Sequence, residues 1–513
     1  MTSYKKTKEE FSRDVYEVFQ AIGVTSDMIL RRRHDYQLLV TLHSTNFKLL
    51  EVPCSTFIVG SQVEGSTTLG MKSDIDFVSR LDMFHVVLRL GAWQTGNINL
   101  LAFKDETTPL QFYKLCRLQP TPDGSQEYMR DPVDDTDIVD KNGRVLINNT
   151  WVDTFAMLEL KKFGEEKMIK HGPSRSTHDQ IDCVVAFPCN DVPEECEDLY
   201  QRSRPGHWPK TETLEYARQC QVFFIPQGHP HSPVNERQLQ WRLSTTLQER
   251  KLMFDFIEEQ MLVYILLKML KKEHCETKFG DNFSTFHLKT AMLFTIERHP
   301  PDIWCIDNIV VCATYCIDTL IQWAHDKVCP HFTMGGVNLF HGKLSESEIN
   351  DLESFLTHLN NHIEEYRYIC NLKMDCFGEM VLQKVHDQKN KIKRQKEILN
   401  TIEAIVASEQ QNTIMSIHSQ ISTVDVNTAV SSVTKHATYV RSLQIHGSEL
   451  QREAADLLFP LVSGILASIQ SSRCIDSRQP VTRGIINLYE GSFECNLMNG
   501  KLKYASMLYN SGQ

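Results

Sequence analysis

Apolar and polar positions alternate along this chain with two different periods, and the change between them divides it. In residues 1–48, Val15, Phe19 and Ile22, then Leu30, Tyr36, Leu38, Leu39 and Leu42, recur at the spacing of one helix face, predicting two N-terminal helices. From 49 to about 235 the period shortens to that of strands, with candidates at 55–59, 74–79, 143–147, 181–187 and 220–225 between Pro, Gly and Asp clusters. The Pro/Asp-rich stretch 118–138 reads as an exposed loop or insertion. Beyond the Gly228–Pro233 cluster, residues 236–381 become helix-periodic almost throughout, starting at Trp241 and including the apolar run Met261–Leu267.

Residues 382–513 form a further helical or linker extension without an assigned role. It opens on a charged run from His386 and continues through a Ser/Thr/Asn/Gln-rich segment, 411–433, expected to be mobile. Leu457–Ile469 reads as an apolar helix interrupted by Pro460 and Gly464. The last residues, 502–513, resemble the first helix and turn of a tetratricopeptide-type repeat. The expected fold class is therefore α+β, a mixed core followed by an all-helical lobe.

The length of 513 residues suits two or three packed units. The formal net charge of −11 argues against a protein that coats nucleic acid by charge alone. No run of about 18 apolar residues stands out, and the charged start (Lys5, Lys6, Lys8, Glu9, Glu10) does not read as a signal peptide. The 15 cysteines are scattered through apolar surroundings, which suits reduced thiols in the cytoplasm, with no membrane partner. Arg31, Arg32 and Arg33 open a helix and offer a local basic stripe for nucleic acid.

The candidate chemistry sits on the second strand. Asp74 and Asp76 alternate with Ile75 and Phe77, so the two acids share one face. Carboxylates that close resist joint ionisation unless a cation lies between them, and Mg²⁺ held by carboxylates plus substrate phosphates is the usual arrangement. Upstream, Gly60-Ser61 follows the apolar strand Phe57-Ile58-Val59 and brings backbone N–H groups and a hydroxyl to phosphate distance. Asp182 is the single acid in the apolar run Ile181–Phe187, a costly position unless it is paired or bound to metal. Together the three acids describe a nucleotidyl-transfer site.

These blocks resemble the cyclic GMP-AMP synthase-like receptors and the wider Mab-twenty-one family, within the polymerase-beta-like nucleotidyltransferases. The likeness runs over about residues 10–375. It rests on Gly60-Ser61 with Asp74-x-Asp76, Ile181–Ala186, Trp241-Arg242-Leu243-Ser244, Phe283–Thr290 and Asn338-Leu339-Phe340. The resemblance implies a bilobal fold with a nucleotidyltransferase core and a helical lobe. It implies that Asp74, Asp76 and Asp182 are catalytic and hold two Mg²⁺ or Mn²⁺ ions, and that Gly60 and Ser61 cradle the triphosphate of ATP or GTP. Arg242, Ser244, Lys268, Thr285 and Phe286 are then implied nucleotide contacts, Phe286 standing where relatives carry a stacking tyrosine.

The implied activity is synthesis of a cyclic dinucleotide second messenger in innate immunity, on binding a trigger and with a possible ligand-dependent dimer. Residues 245–268 contain no Cys or His, so the zinc insertion of the DNA-sensing relative is missing and no structural zinc is expected. That shifts the expected trigger to double-stranded RNA, read by backbone and shape. The alternatives are a catalytically silent Mab-type scaffold and a synthase of linear oligonucleotides.

Overall fold

The computed structural model describes residues 6–153, 169–176, 181–363, 367–384, 388–493 and 498–511. The start of the charged run at His386 and the last two residues of the repeat-like segment lie outside them. The architecture is mixed α+β, and the chain divides into two compact units: residues 1–33 with 57–396, and residues 34–56 with 397–513.

Hydrogen-bonded strands run in the order Cys54–Val59, Ile75–Leu81, Ile181–Cys189, Val222–Ile225, Gln240–Ser244, Phe112–Pro120, Ile98–Phe103 and Phe84–Val87, all from residue 57 onward belonging to the first unit. The path returns on itself through a parallel pairing of Cys189 with Val86. Aromatic side chains fill the interior of this turn of sheet. Phe187 stacks on Phe84 at 4.4 Å and on Trp241 at 4.6 Å between ring centroids, and the buried Trp241 indole N–H donates to the Ile147 carbonyl at 3.1 Å. Burying three rings and satisfying the one polar atom stabilises the sheet junction in a single cluster.

Trp241–Ser244 is therefore a strand, not the start of the helical region. Its side chains alternate, with Trp241 and Leu243 buried and Arg242 and Ser244 half-buried on the opposite face. The stretch 118–138 is also more ordered than a loop. Leu118 pairs with Tyr128 in an antiparallel hairpin, and Arg117 holds the fully buried Asp137 carboxylate at 2.9 Å.

The helical part of this unit is built around Glu258–Leu270, buried from Gln260 onward on every side, as expected of a helix apolar all round. Thr285–Arg298, Ile309–His325 and Glu346–Ile363 share its core. The N-terminal helix Lys8–Ala21, capped by a Thr7/Glu10 box, contributes Phe11, Val15, Val18 and Phe19 to the same cluster.

The second unit is a helical bundle. Gln388–Ser422, Val426–His446 and Glu449–Asp476 are long helices, so the polar segment 411–433 is ordered, not mobile. Its sparse apolar residues suffice: Ile417 and Val433 are fully buried with Leu38, Leu42 and Leu49. Those leucines explain why the compact division falls inside the helix Ser26–Leu49, and not at residue 48 as the sequence segments would have it. Glu449–Asp476 is long and apolar enough to cross a membrane by length and composition, but 61% of its most apolar window is buried inside the protein. Met498–Ser511 packs Met507 against Val481, Ile485 and Tyr489.

Candidate active site

The site starts with a backbone that only glycine adopts comfortably. The strand Cys54–Val59 ends at Gly60, whose φ of +77° and ψ of −165° turn the chain into the short helix Ser61–Glu64. A Cβ at Gly60 would lie 2.2 Å from the Asp76 Oδ2, so this glycine lets the turn sit against a carboxylate. The turn is braced from several directions. Lys268 donates to Ser61 Oγ and to the Ser66 carbonyl, both at 2.7 Å. Arg32 donates to Gln62 Oε1 at 2.8 Å, and Gln62 in turn donates to the Ser73 carbonyl at 2.6 Å, just before Asp74.

Sheet register brings the acids together. Ile75–Leu81 pairs in parallel with Ile181–Cys189, placing Asp76 directly opposite Asp182. Side chains opposite one another on adjacent strands project from the same face. Asp74 lies two residues before Asp76, exposed at the strand's entry. Asp182 accepts a hydrogen bond from Ser176 Oγ. Burial, followed by the charges of Asp182, Asp74 and Glu64, pushes the Asp76 carboxyl up to about 7, against the pull of Lys289. A carboxyl raised by neighbouring carboxylates marks a place where positive charge is wanted. The donors are oxygens, which suit a hard divalent cation. Among the described residues, no three His, Cys, Asp or Glu side chains are already gathered around a common metal position.

Two cavities flank this point. The smaller, about 240 Å³, is lined by Ser61, Asp74, Asp76, Lys268, Lys271, Lys272 and Thr285. Its acids and lysines face one space, the mixture a metal–polyphosphate ligand requires. Lys271 and Lys272 lie in a π-helical turn, Lys271–Cys275, that continues directly from the Lys268 helix. Burial pushes the Lys268 ammonium down to about 7, with Glu64 opposing.

The larger cavity, about 810 Å³, is lined by Gly60, Arg242, Ser244, Glu249, Phe286, Lys289 and His331 among others. Its volume is that of a small-molecule site. The Arg242 Nε–H is buried without a partner, and burial lowers the guanidinium's proton affinity while Glu249 supports it. A buried donor of this kind is costly to leave unmet. Phe286 is half-buried with its ring 5.3 Å from that of His331. Burial drives His331 down to about 3, so it enters as a neutral ring.

Of the residues named from sequence, Ser61, Asp74, Asp76, Lys268 and Thr285 line the small cavity and Gly60, Arg242, Ser244 and Phe286 the large one, while Asp182 lines neither and stands opposite Asp76 in the sheet. The arginine stripe does not hold together as a nucleic-acid surface. Arg31 is exposed, but Arg32 and Arg33 are buried. Arg33 donates to the carbonyls of Glu64, Met253 and Phe254 at 3.1, 2.9 and 3.0 Å, and burial lowers its guanidinium to about 10. A basic triplet in a helix reads as a solvated face until tertiary structure covers two of its three members.

Sequence reasoning also passed over Glu64, Glu249 and Lys289. Glu64 and Lys289 form an ion pair at 2.7 Å, with side chains 2% and 11% exposed, behind the Gly60 turn. Its partners are 225 residues apart, and nothing local links them. His287 has a structural role: its Nδ1 accepts from the Ser284 backbone N–H at 3.0 Å, closing the N-terminus of Thr285–Arg298.

Comparison with known proteins places the helical part. Residues 259–358 match the Mab-21 protein HhH/H2TH-like domain. A protein described as "Protein mab-21-like" from Drosophila melanogaster is 26% identical over 164 residues, covering 29% of this chain and 43% of that protein. The chain thus matches less than half the length of this curated relative. The matched domain holds Lys268, Phe286, Lys289 and Asn338, whereas Gly60, Ser61 and the three acids precede it.

Proposed function

We propose that this chain is a Mab-21-family, metal-dependent nucleotidyltransferase that joins ATP and/or GTP into a cyclic dinucleotide. The observation that carries the reading is the parallel register of Asp76 with Asp182, set against the Gly60-Ser61 turn and a lysine-lined cavity. The Mab-21 match over 259–358 and the Drosophila relative support the superfamily. We further propose a polymerase-beta-like bilobal arrangement, a cytoplasmic location and a role in innate immunity, as the resemblance implies.

Asp74, Asp76 and Asp182 would hold Mg²⁺ or Mn²⁺, which when bound supplies the positive charge needed for in-line displacement at a phosphate. Ser61, Lys268, Lys271 and Lys272 would hold the triphosphate in the small cavity. In the large cavity Phe286 would stack on a base, without the hydroxyl a tyrosine would add. The partnerless Arg242 Nε–H would donate to the same nucleotide. Catalysis by these residues is positioning and charge stabilisation more than proton transfer. Duplex RNA is the trigger we propose, and with Arg32 and Arg33 buried, Arg31 is the exposed residue of that triplet.

The alternative of a scaffold without catalysis has one observation in its favour: the acids, among the described residues, are not closed around a common metal position. The test is incubation with labelled ATP and GTP and Mn²⁺ or Mg²⁺, with and without duplex RNA, followed by phosphatase. A phosphatase-resistant product that disappears in Asp74→Asn/Asp76→Asn is expected. A linear ladder, silence under every condition, or a product that survives the double substitution overturns the proposal.

A further inference from the structure

The loop Gly65–Ser73 connects the Gly60-Ser61 turn to Asp74, so its conformation sets where that acid stands. Its two ends are fixed by site residues: Lys268 on the Ser66 carbonyl, Lys272 on the Met71 carbonyl at 2.7 Å, and Gln62 on the Ser73 carbonyl. Its middle is held from elsewhere. Asp375 Oδ2 accepts from Thr68 Oγ1 at 2.5 Å and Oδ1 accepts from the Gly70 N–H at 3.2 Å. Gly70 has no room for a side chain, since a Cβ there would lie 2.7 Å from the Asp375 Oδ2 and 2.9 Å from the Met374 Cγ.

Two further features show that Asp375 is placed for this contact. It and Cys376 are consecutive non-glycine residues in the left-handed region, with φ of 54° and 57°. Such strain persists only where surrounding contacts over-determine it. The Asp375 side chain is 3% exposed, and its charge is met by Arg394, which donates from Nη1 to Oδ1 at 2.5 Å and from Nη2 to the Asp375 carbonyl at 3.4 Å. One buried carboxylate thus ties the loop before the acids to an arginine more than thirty residues beyond the matched domain.

We infer that Asp375, supported by Arg394, is a positioning residue that latches the Thr68–Gly70 loop and thereby holds Asp74 in register with Asp76 and Asp182. The inference rests on the catalytic reading for its consequence, but not for the latch itself. Neither residue is assigned a touch on substrate. Asn tolerates the left-handed backbone at least as well as Asp, so Asp375→Asn removes the charge and keeps the turn.

The test uses the full chain as wild type, Asp375→Asn, Arg394→Ala, Arg394→Lys and Thr68→Val, and reads backbone amide exchange in residues 66–73 together with transfer kinetics on ATP and GTP with Mn²⁺. Loss of a charge-assisted hydrogen bond is expected to speed exchange at Leu69–Met71 by about tenfold or more in Asp375→Asn and Arg394→Ala. The expected loss in kcat is about 10- to 100-fold, with a smaller change in KM, as for a sub-ångström to ångström misplacement of a reacting group. Arg394→Lys should restore part of both. If Asp375→Asn does not fold, Arg394→Ala and Thr68→Val carry the same readouts. Unchanged exchange in these variants overturns the latch. Faster exchange with unchanged kcat overturns the positioning role. Faster exchange in a protein whose wild type makes no nucleotide product leaves the latch standing and overturns the catalytic reading.

Discussion

Replacing Lys289 by methionine tests how the Gly60 turn is held in place. Methionine keeps the length and apolar stem of the lysine, so little packing is lost from the helix Thr285–Arg298. What remains is the Glu64 carboxylate, 2% exposed, without the ammonium that sat 2.7 Å away. Breaking a buried pair from one side costs about 3–5 kcal/mol, because the surviving charge is left uncompensated. Lys289 also pulls the Asp76 carboxyl down against burial and the neighbouring carboxylates, so its loss raises that carboxyl further. At about 2 °C per kcal/mol for a unit of this size, Lys289→Met should melt about 6–10 °C below wild type.

The double variant Glu64→Gln/Lys289→Met removes both charges and should recover most of the loss, a coupling of about 2–4 kcal/mol. Differential scanning calorimetry of wild type, both singles and the double gives the cycle, with Lys373→Met, whose side chain is 88% exposed, as the control. Lys289→Met melting with wild type, or a double variant no more stable than Lys289→Met, would refute the argument that this pair holds the turn by charge compensation.

Gly60→Ala places a methyl 2.2 Å from the Asp76 Oδ2 at a backbone conformation alanine avoids; the expected cost is about 1–3 kcal/mol of stability with a loss of about 100-fold or more in transfer rate. Retention of full activity contradicts the close packing of turn and acid. With Lys268 lowered to about 7, a bound triphosphate should raise it again, so nucleotide binding at pH 8 takes up a proton. Calorimetry of metal-free nucleotide in buffers of different ionisation heat at pH 8 measures that uptake, which should be lost in Lys268→Met.

In the second unit, burial raises Glu409 from 4.5 to about 7. Between those values the folded chain keeps a proton that the unfolded chain has lost, so wild-type stability falls as pH rises through this window. Glu409→Gln should therefore match wild type near pH 4.5 and exceed it by up to about 3 kcal/mol above pH 7. Denaturation curves that run parallel at all pH values would count against it.

Much of the site was legible from local pattern. Gly60-Ser61 after an apolar strand, two acids alternating with Ile75 and Phe77, and a lone acid at Asp182 are features that strand periodicity and desolvation cost expose without a structure. The helical core was equally plain, because Met261–Leu267 is apolar all round. The strands at 84–87, 98–103 and 112–120 escaped because consecutive residues are buried without the alternation that marks a strand, and in the last of them Lys114 and Arg117 sit among the buried residues. Trp241–Ser244 was misread as helical for a similar reason, four residues being too few to separate the two periods.

The sequence by itself determined which side chains carry the chemistry and which local conformations they prefer, since those depend on neighbours along the chain. Tertiary structure alone decided that Asp182 would stand opposite Asp76, that Lys289 would meet Glu64, that Asp375 would reach back to Gly70, and that Arg32 and Arg33 would turn inward. Each of these joins residues that are distant in the chain. Parallel strand pairing and buried ion pairs form only when the whole core closes, and no local period encodes the partner.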